Sequence, residues 1–149
     1  MAVSRGSGTE IIRSISVLGV DSSSRVLIYG VQHHIYTVLS IEVHALTIQA
    51  AGNWVQGFIQ GYDSVGGTSD STMIIFKNDM SLTQTFVWND KFSFNGNEPT
   101  NFTGPMDSIV KQDAIADQGS SVAQLLKVST QHADDAFNVF CTFIDQNNA

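Results

Sequence analysis

Eight runs of β-branched and aromatic residues, each closed by a cluster of turn-forming residues, limit what this chain can fold into. The runs are 11–18 (IIRSISVL), 25–31 (RVLIYGV), 35–46 (IYTVLSIEVHAL), 54–62 (WVQGFIQGY), 72–77 (TMIIFK), 84–94 (QTFVWNDKFSF), 122–130 (VAQLLKVST) and 136–145 (AFNVFCTFID). Between them lie GVDSSS, AAGN, DSVGGTSDS, NDMS and HADD, which tolerate left-handed backbone or cap it with short side chains. Short strands at this spacing predict an all-β, antiparallel two-sheet sandwich of jelly-roll type with about eight strands. The segment NGNEPTNFTGPMD reads as an irregular loop, because Pro99 and Pro105 cannot donate to a sheet ladder. Beyond it Asp107 can cap one short helix near 107–118, with Gly119 past its end.

No internal repeat or linker divides the chain, so 11–149 is expected to form one domain. Residues 1–10, with Gly6 and Gly8 among small polar side chains, read as a flexible N-terminal arm. At 149 residues with 42% hydrophobic content, the domain is long enough to bury a substantial core. Its 14% of charged residues is low against a typical ~25%. A surface so poor in charge suits a chain whose exterior packs against other subunits.

The net charge of −7 and the scattered Arg5, Arg13, Arg25, Lys77, Lys91, Lys111 and Lys127 leave no basic stripe. Binding to nucleic acid or to an anionic membrane is therefore not expected. Cys141 is the single cysteine, which excludes an internal disulfide and a cysteine-rich zinc site. There is no apolar run of transmembrane length and no apolar stretch of signal-peptide type in MAVSRGSGTEII. The chain is expected to be made, and to remain, in a cytoplasm unless carried out in a larger assembly.

The stretch VQHHIYTVLSIEVHAL holds three of the four histidines. In an unbroken strand its odd positions, Val31, His33, Ile35, Thr37, Leu39, Ile41, Val43 and Ala45, form one almost continuous apolar face. His33 then faces the core, while His34 and His44 share the mixed face about 33 Å apart, too far for one ion. A cupin-type metal site would need an H-x-H pair followed closely by glutamate. Here the pair is adjacent, Glu42 is eight residues beyond His34, and the remaining histidine, His132, lies in QHADD. These histidines read as structural, and no metal ligand or cofactor is expected.

Nucleophilic chemistry is equally unsupported. The serines cluster in turns and lack a G-x-S-x-G elbow. Cys141 shares parity with Phe137, Val139 and Phe143, a core face. Asp63, Asp70, Asp79 and Asp90 fall in or beside turns, the pattern of solvated acids. In TFVWNDKFSF the residues Phe86, Trp88, Phe92 and Phe94 share one parity, and Asp90 interrupts them, which predicts a bulge or bend. That aromatic face reads first as core and second as a carbohydrate or inter-subunit surface.

The segments SRGSGTEIIR, GVQHHIYTVLSI, FVWNDKFSFNG and FIDQNNA resemble small virion structural proteins of tailed phages, particularly those infecting cyanobacteria. Such proteins are similar in kind to head decoration (cement) proteins, compact β-folds that grip a capsid lattice, often as trimers. The resemblance implies a non-enzymatic virion protein, partnered by the major capsid protein or other virion proteins and homotrimeric. It transfers no catalytic residue. A neck, tail or fibre component with a glycan- or receptor-binding role is the alternative. The candidate interaction residues are Arg5 in the arm, Trp54, Trp88, and Pro99, Phe102 and Pro105 in the proline-bearing loop.

Overall fold

A computed structural model describes residues 10–63, 70–99, 108–110 and 121–147. They form eleven strands: β1 (Glu10–Val20), β2 (Arg25–Tyr29), β3 (His34–Thr47), β4 (Trp54–Asp63), β5 (Asp70–Asp79), β6 (Thr85–Trp88), β7 (Phe92–Asn95), β8 (Asn97–Pro99), β9 (Ser121–Ala123), β10 (Leu125–Thr130) and β11 (Ala136–Asn147). One sheet runs β1-β11-β3-β6, with β7 also on β3, and the other runs β2-β10-β4-β5. A two-stranded ribbon, β8-β9, lies beside them. Every pairing is antiparallel.

Taking β6 and β7 as one interrupted strand leaves eight long strands. The first pairs with the last, the second with the seventh, the third with the sixth, and the fourth with the fifth. That wrapping is the jelly roll expected from the sequence. The break in the 84–94 run falls around Asp90, as its parity interruption predicts. Two expectations need correction. The 122–130 run divides at Gln124, and the 95–107 segment is not wholly irregular, because Asn97–Pro99 pairs with Ser121–Ala123. Proline is tolerated there as the last residue of a three-residue strand. Glu10 already pairs with Gln146, so β1 begins inside the expected arm. Residues 1–9 of that arm and most of the 107–118 helix segment lie outside the described residues.

The core fills the space between the sheets. Strand β11 alternates faithfully, sending Phe137, Val139, Cys141 and Phe143 inward and Asn138, Phe140, Thr142 and Ile144 outward. Each such large apolar side chain contributes roughly 1.5–3 kcal/mol on burial. Strand β3 does not alternate faithfully. Its buried residues are Tyr36 and Val38, then Ile41, Val43 and Ala45. The phase changes because Ser40 pairs with Thr142 while Val38 pairs with Phe143, leaving Leu39 as an extra residue. This β-bulge turns the two halves of β3 by one residue relative to each other.

A second bulge ends the straight part of β1. Val17 pairs with Val139 and Val20 with Phe137, so Leu18 and Gly19 together oppose Asn138. Gly19 has φ 69°, the left-handed conformation that glycine adopts without a Cβ penalty. The corner joining the two sheets is held by a backbone relay. Gly96 N donates to His34 O (2.8 Å), Gln124 N to Gly96 O (2.8 Å) and Gly30 N to Gln124 O (2.7 Å). A Cβ at Gly96 would fall on the Val31 carbonyl, and one at Gly30 on the Gly96 carbonyl, so both positions require glycine.

At the opposite loops, the buried Asp135 carboxylate accepts hydrogen bonds from Gln49 N (2.9 Å), Asn53 Nδ2 (3.1 Å) and His132 N (3.0 Å). It thereby staples the β3–β4 and β10–β11 connections. Burial alone would raise the Asp135 pKa, but these hydrogen bonds outweigh it and hold the carboxyl below its usual range.

Candidate contact surfaces

Of the six candidate interaction residues, Trp54, Trp88 and Pro99 fall among the described residues, and the two tryptophans do not come together. Arg5, Phe102 and Pro105 lie outside the described residues. Pro99 closes β8. Trp54 and Trp88 sit on different sides of a sheet. Trp88 opposes the buried Ile41 and stacks on Phe76 at 5.9 Å, between the two sheets. Phe86, Phe92 and Phe94 likewise oppose the buried Val43, Val38 and Tyr36, so this aromatic face is core, as its parity suggests. Trp88 is thus removed from the surface set, because the partners of β6 turn it inward.

Trp54 remains at a surface. In β4, Val55, Gly57 and Ile59 face the core, and Trp54, Gln56, Phe58 and Gln60 face out. The Lys77 ammonium lies 4.4 Å from the centre of the Trp54 ring, a cation–π contact. Gln56 Nε2 donates to Ser129 Oγ at 3.2 Å, and Phe58 is flanked by Lys127 and Ile74. The outer face of the four-stranded sheet therefore alternates rings and amides, with two ammonium groups beside them.

The outer face of the five-stranded sheet is different in kind. Its cross-strand rows read Ile12–Ile144–Thr37–Ser93, Ser14–Thr142–Ser40 and Ser16–Phe140–Glu42–Val87. Hydroxyl pairs close two of them, Ser14 with Thr142 at 3.1 Å and Thr37 with Ser93 at 2.9 Å. Glu42 is the one charged side chain in these rows. Ile12 is 71% exposed and Phe140 42%, with Leu18 and Val87 also open to solvent. This is a broad patch of hydroxyl and apolar groups, of the type found at protein–protein contacts.

The histidines correct the sequence expectation. His33 does not face the core. It occupies the turn before β3 with φ 65°. His34 and His44 do not share a face, because the Leu39 bulge lies between them. His34 joins Tyr36 on the inner side, and His44 joins Glu42 on the outer side, where its Nδ1 meets Thr85 Oγ1 at 2.9 Å. His34 Nδ1 lies 2.6 Å from Asp145 Oδ1, and Arg13 Nη1 donates to Asp145 Oδ2 at 3.2 Å.

Around that carboxylate the Arg13 guanidinium covers Phe143 at 5.5 Å, and the His34 ring stacks on Tyr36 at 5.9 Å. The Tyr36 hydroxyl donates to Tyr29 O and accepts from Val31 N, each at 3.2 Å. Burial, helped by the Asp145 charge, pushes its pKa up. The cluster ties β1, β3 and β11 together at one end of the sandwich. The polar run IDQNN at the chain's end gives no periodic signal of it.

Cys141 is fully buried, and desolvation pushes its thiol up to about 12. His132 sits in the β10–β11 turn, where its Nδ1 accepts from Asp134 N at 3.1 Å. Among the described residues no three His, Cys, Asp or Glu side chains converge as a metal ion requires.

No protein-family model matches the chain, and no curated protein matches it. Several solved structures resemble it in shape. A xylan-binding domain from CBM 22 is 12% identical, with 99% of this chain and 92% of that one covered and a TM-score of 0.47. The D431N mutant of the VP2 protein of infectious bursal disease virus is 11% identical, with 93% of this chain and 36% of that one covered and a TM-score of 0.35. The chain thus spans about a third of the VP2 protein. Both scores fall below 0.5, and neither likeness bears on function.

Proposed function

We propose that this protein is a non-enzymatic virion structural protein of a tailed phage, a decoration (cement) protein that stabilises the head by contact between subunits. The observation that carries this reading is the outer face of the five-stranded sheet, which exposes Ile12, Leu18, Val87 and Phe140 among hydroxyl groups, with Glu42 within it and Glu10 at its end as the charges of its described rows. Such a face works by complementarity, and a specific contact needs only about 1,600 Å² in total. Repetition over a symmetric lattice then multiplies a modest affinity. The virion assignment itself rests on the sequence resemblance, and the expected partners are the major capsid protein and further copies of this chain.

The test is direct. The purified full chain is mixed with expanded heads and sedimented, and the subunit is located in a virion density map. Saturable binding to heads supports the proposal. A subunit found in the neck, tail or fibres overturns the decoration role, and a protein with no affinity for any virion part overturns the whole reading.

A second reading, a fibre or tail component that binds glycans, is favoured by the face carrying Trp54, Gln56, Phe58 and Gln60. Stacking rings with amide donors beside them are suited to the apolar and hydroxyl faces of sugars. A glycan array probed with the full chain distinguishes the two, since this reading requires a reproducible hit that Trp54→Ala abolishes.

A further inference from the structure

Strand β1 ends the five-stranded sheet, so one side of its backbone has no neighbour among the described strands. Natural sheets guard such edges with short strands, prolines, bulges or charges. Among the described residues, three of the four edges of the two larger sheets show that protection. The β6/β7 edge is broken around Asp90, β2 has five residues and an irregular register, and β5 carries Asp70, Lys77 and Asp79 with a register shift. By contrast β1 runs straight from Glu10 to Val17, with Glu10 and Arg13 as its charges. It exposes Ile11, Ile12 and Leu18.

The strand is also self-complementary. Centred on Ile15, the outward-facing residues Ile12, Ser14, Ser16 and Leu18 read alike in both directions by size and polarity, while the inward pair Arg13 and Val17 does not. In an antiparallel pair of two copies with Ile15 on the two-fold axis, Ile12 meets Leu18 of the second copy. Ser14 meets Ser16, and Arg13 meets Val17. Partners of equal parity fall on the same face, so Ile12, Leu18 and the serines stay on the outer side. Other centres fit less well. Arg13 on the axis sets two guanidinium groups face to face, and Ser14 on the axis sets Ile12 against Ser16 and Glu10 against Leu18. The Gly19 bulge bends the chain away just past Leu18, which marks the end of the pairing segment.

We infer that two copies of this chain pair edge to edge through β1, with Ile15 on the two-fold axis, to form one continuous sheet across the dimer. The contact is isologous and closes at two copies, unlike the trimer that the sequence resemblance implies. It also doubles the hydroxyl and apolar outer face. The inference holds whether or not the protein belongs to a virion.

The test uses the full chain and two variants on solvent-facing serines, each checked for native fold by circular dichroism and urea unfolding. Sedimentation equilibrium should find the wild type at twice the 16.2 kDa chain mass. In S14K/S16K each lysine faces a lysine of the second copy, and dimerisation should weaken by about tenfold or more. In S14K/S16E the same positions face opposite charges, and the dimer should persist and become salt-sensitive. A monomeric wild type, a dimer indifferent to S14K/S16K, or an S14K/S16E variant as weakened as S14K/S16K would each overturn the inference.

Discussion

The Asp145 carboxylate holds the His34 imidazole at 2.6 Å on one oxygen and the Arg13 guanidinium at 3.2 Å on the other, joining residues 111 and 132 positions away in the chain. The two partners are not equivalent. The Arg13 side chain is half exposed, whereas those of His34 and Asp145 are largely withdrawn from water.

Removing the carboxylate should therefore cost more than removing the arginine. Asp145→Ala is expected to lose about 1.5–3 kcal/mol, since it leaves a buried donor without its acceptor. Arg13→Ala is expected to lose under about 1 kcal/mol, as an exposed ion pair does. Urea midpoints of the two variants and of wild type settle the order, and a larger loss at Arg13 would contradict it.

Strong acid should release the staple between the β3–β4 and β10–β11 loops. Asp135 binds its proton less readily folded than unfolded, because three loop donors point at its carboxylate. Its contribution is complete above the unfolded carboxyl's pKa of about 3.9 and disappears as pH falls through the lower folded value. Asp135→Asn should be less stable at neutral pH and should show a shallower decline below about pH 4. Thermal unfolding from pH 7 to 2.5 reads both effects.

Cys141 should be silent to thiol reagents in the native state. Its thiol is fully buried and pushed up to about 12, so little thiolate forms at neutral pH. Alkylation followed by mass spectrometry should show labelling only in denaturant. Rapid labelling of folded protein would mean that the sheet opens locally around β11.

Deleting Leu39 should cost little more than replacing it. The deletion removes the bulge, sets the Val38–Phe143 pair directly beside the Ser40–Thr142 pair, and leaves Tyr36 and Val38 on the inner face. The deletion and Leu39→Ser should each stay within about 2 kcal/mol. Soluble yield and unfolding midpoints of the two variants provide the comparison.

Much of the architecture was legible because strands with one buried face announce themselves by alternation. Cys141 with Phe137, Val139 and Phe143, and the aromatic parity broken at Asp90, both led to the positions they occupy. The histidines were misread for one physical reason. Leu39 has the same parity as the apolar Ile35, Ile41 and Val43, so counted as a regular strand residue it extends an apolar face and the bulge goes unmarked. Everything before it in β3, including His34, is displaced to the other face. Trp88 was misplaced on the surface although its own run held the correct signal, the shared parity with Phe86. The Asp145 cluster depends on long-range register between β1, β3 and β11, which no local pattern carries.

The pairing of Glu10 with Gln146 has a mechanical consequence. Strands β1 and β11 present their outer ends at the same corner, so a pull applied to both would open their ladder like a zipper, one hydrogen-bonded pair after another. Strands loaded in shear resist together; strands peeled from one end yield in turn. This domain is thus weak as a link in a chain under tension and far better suited to bearing load across its broad faces.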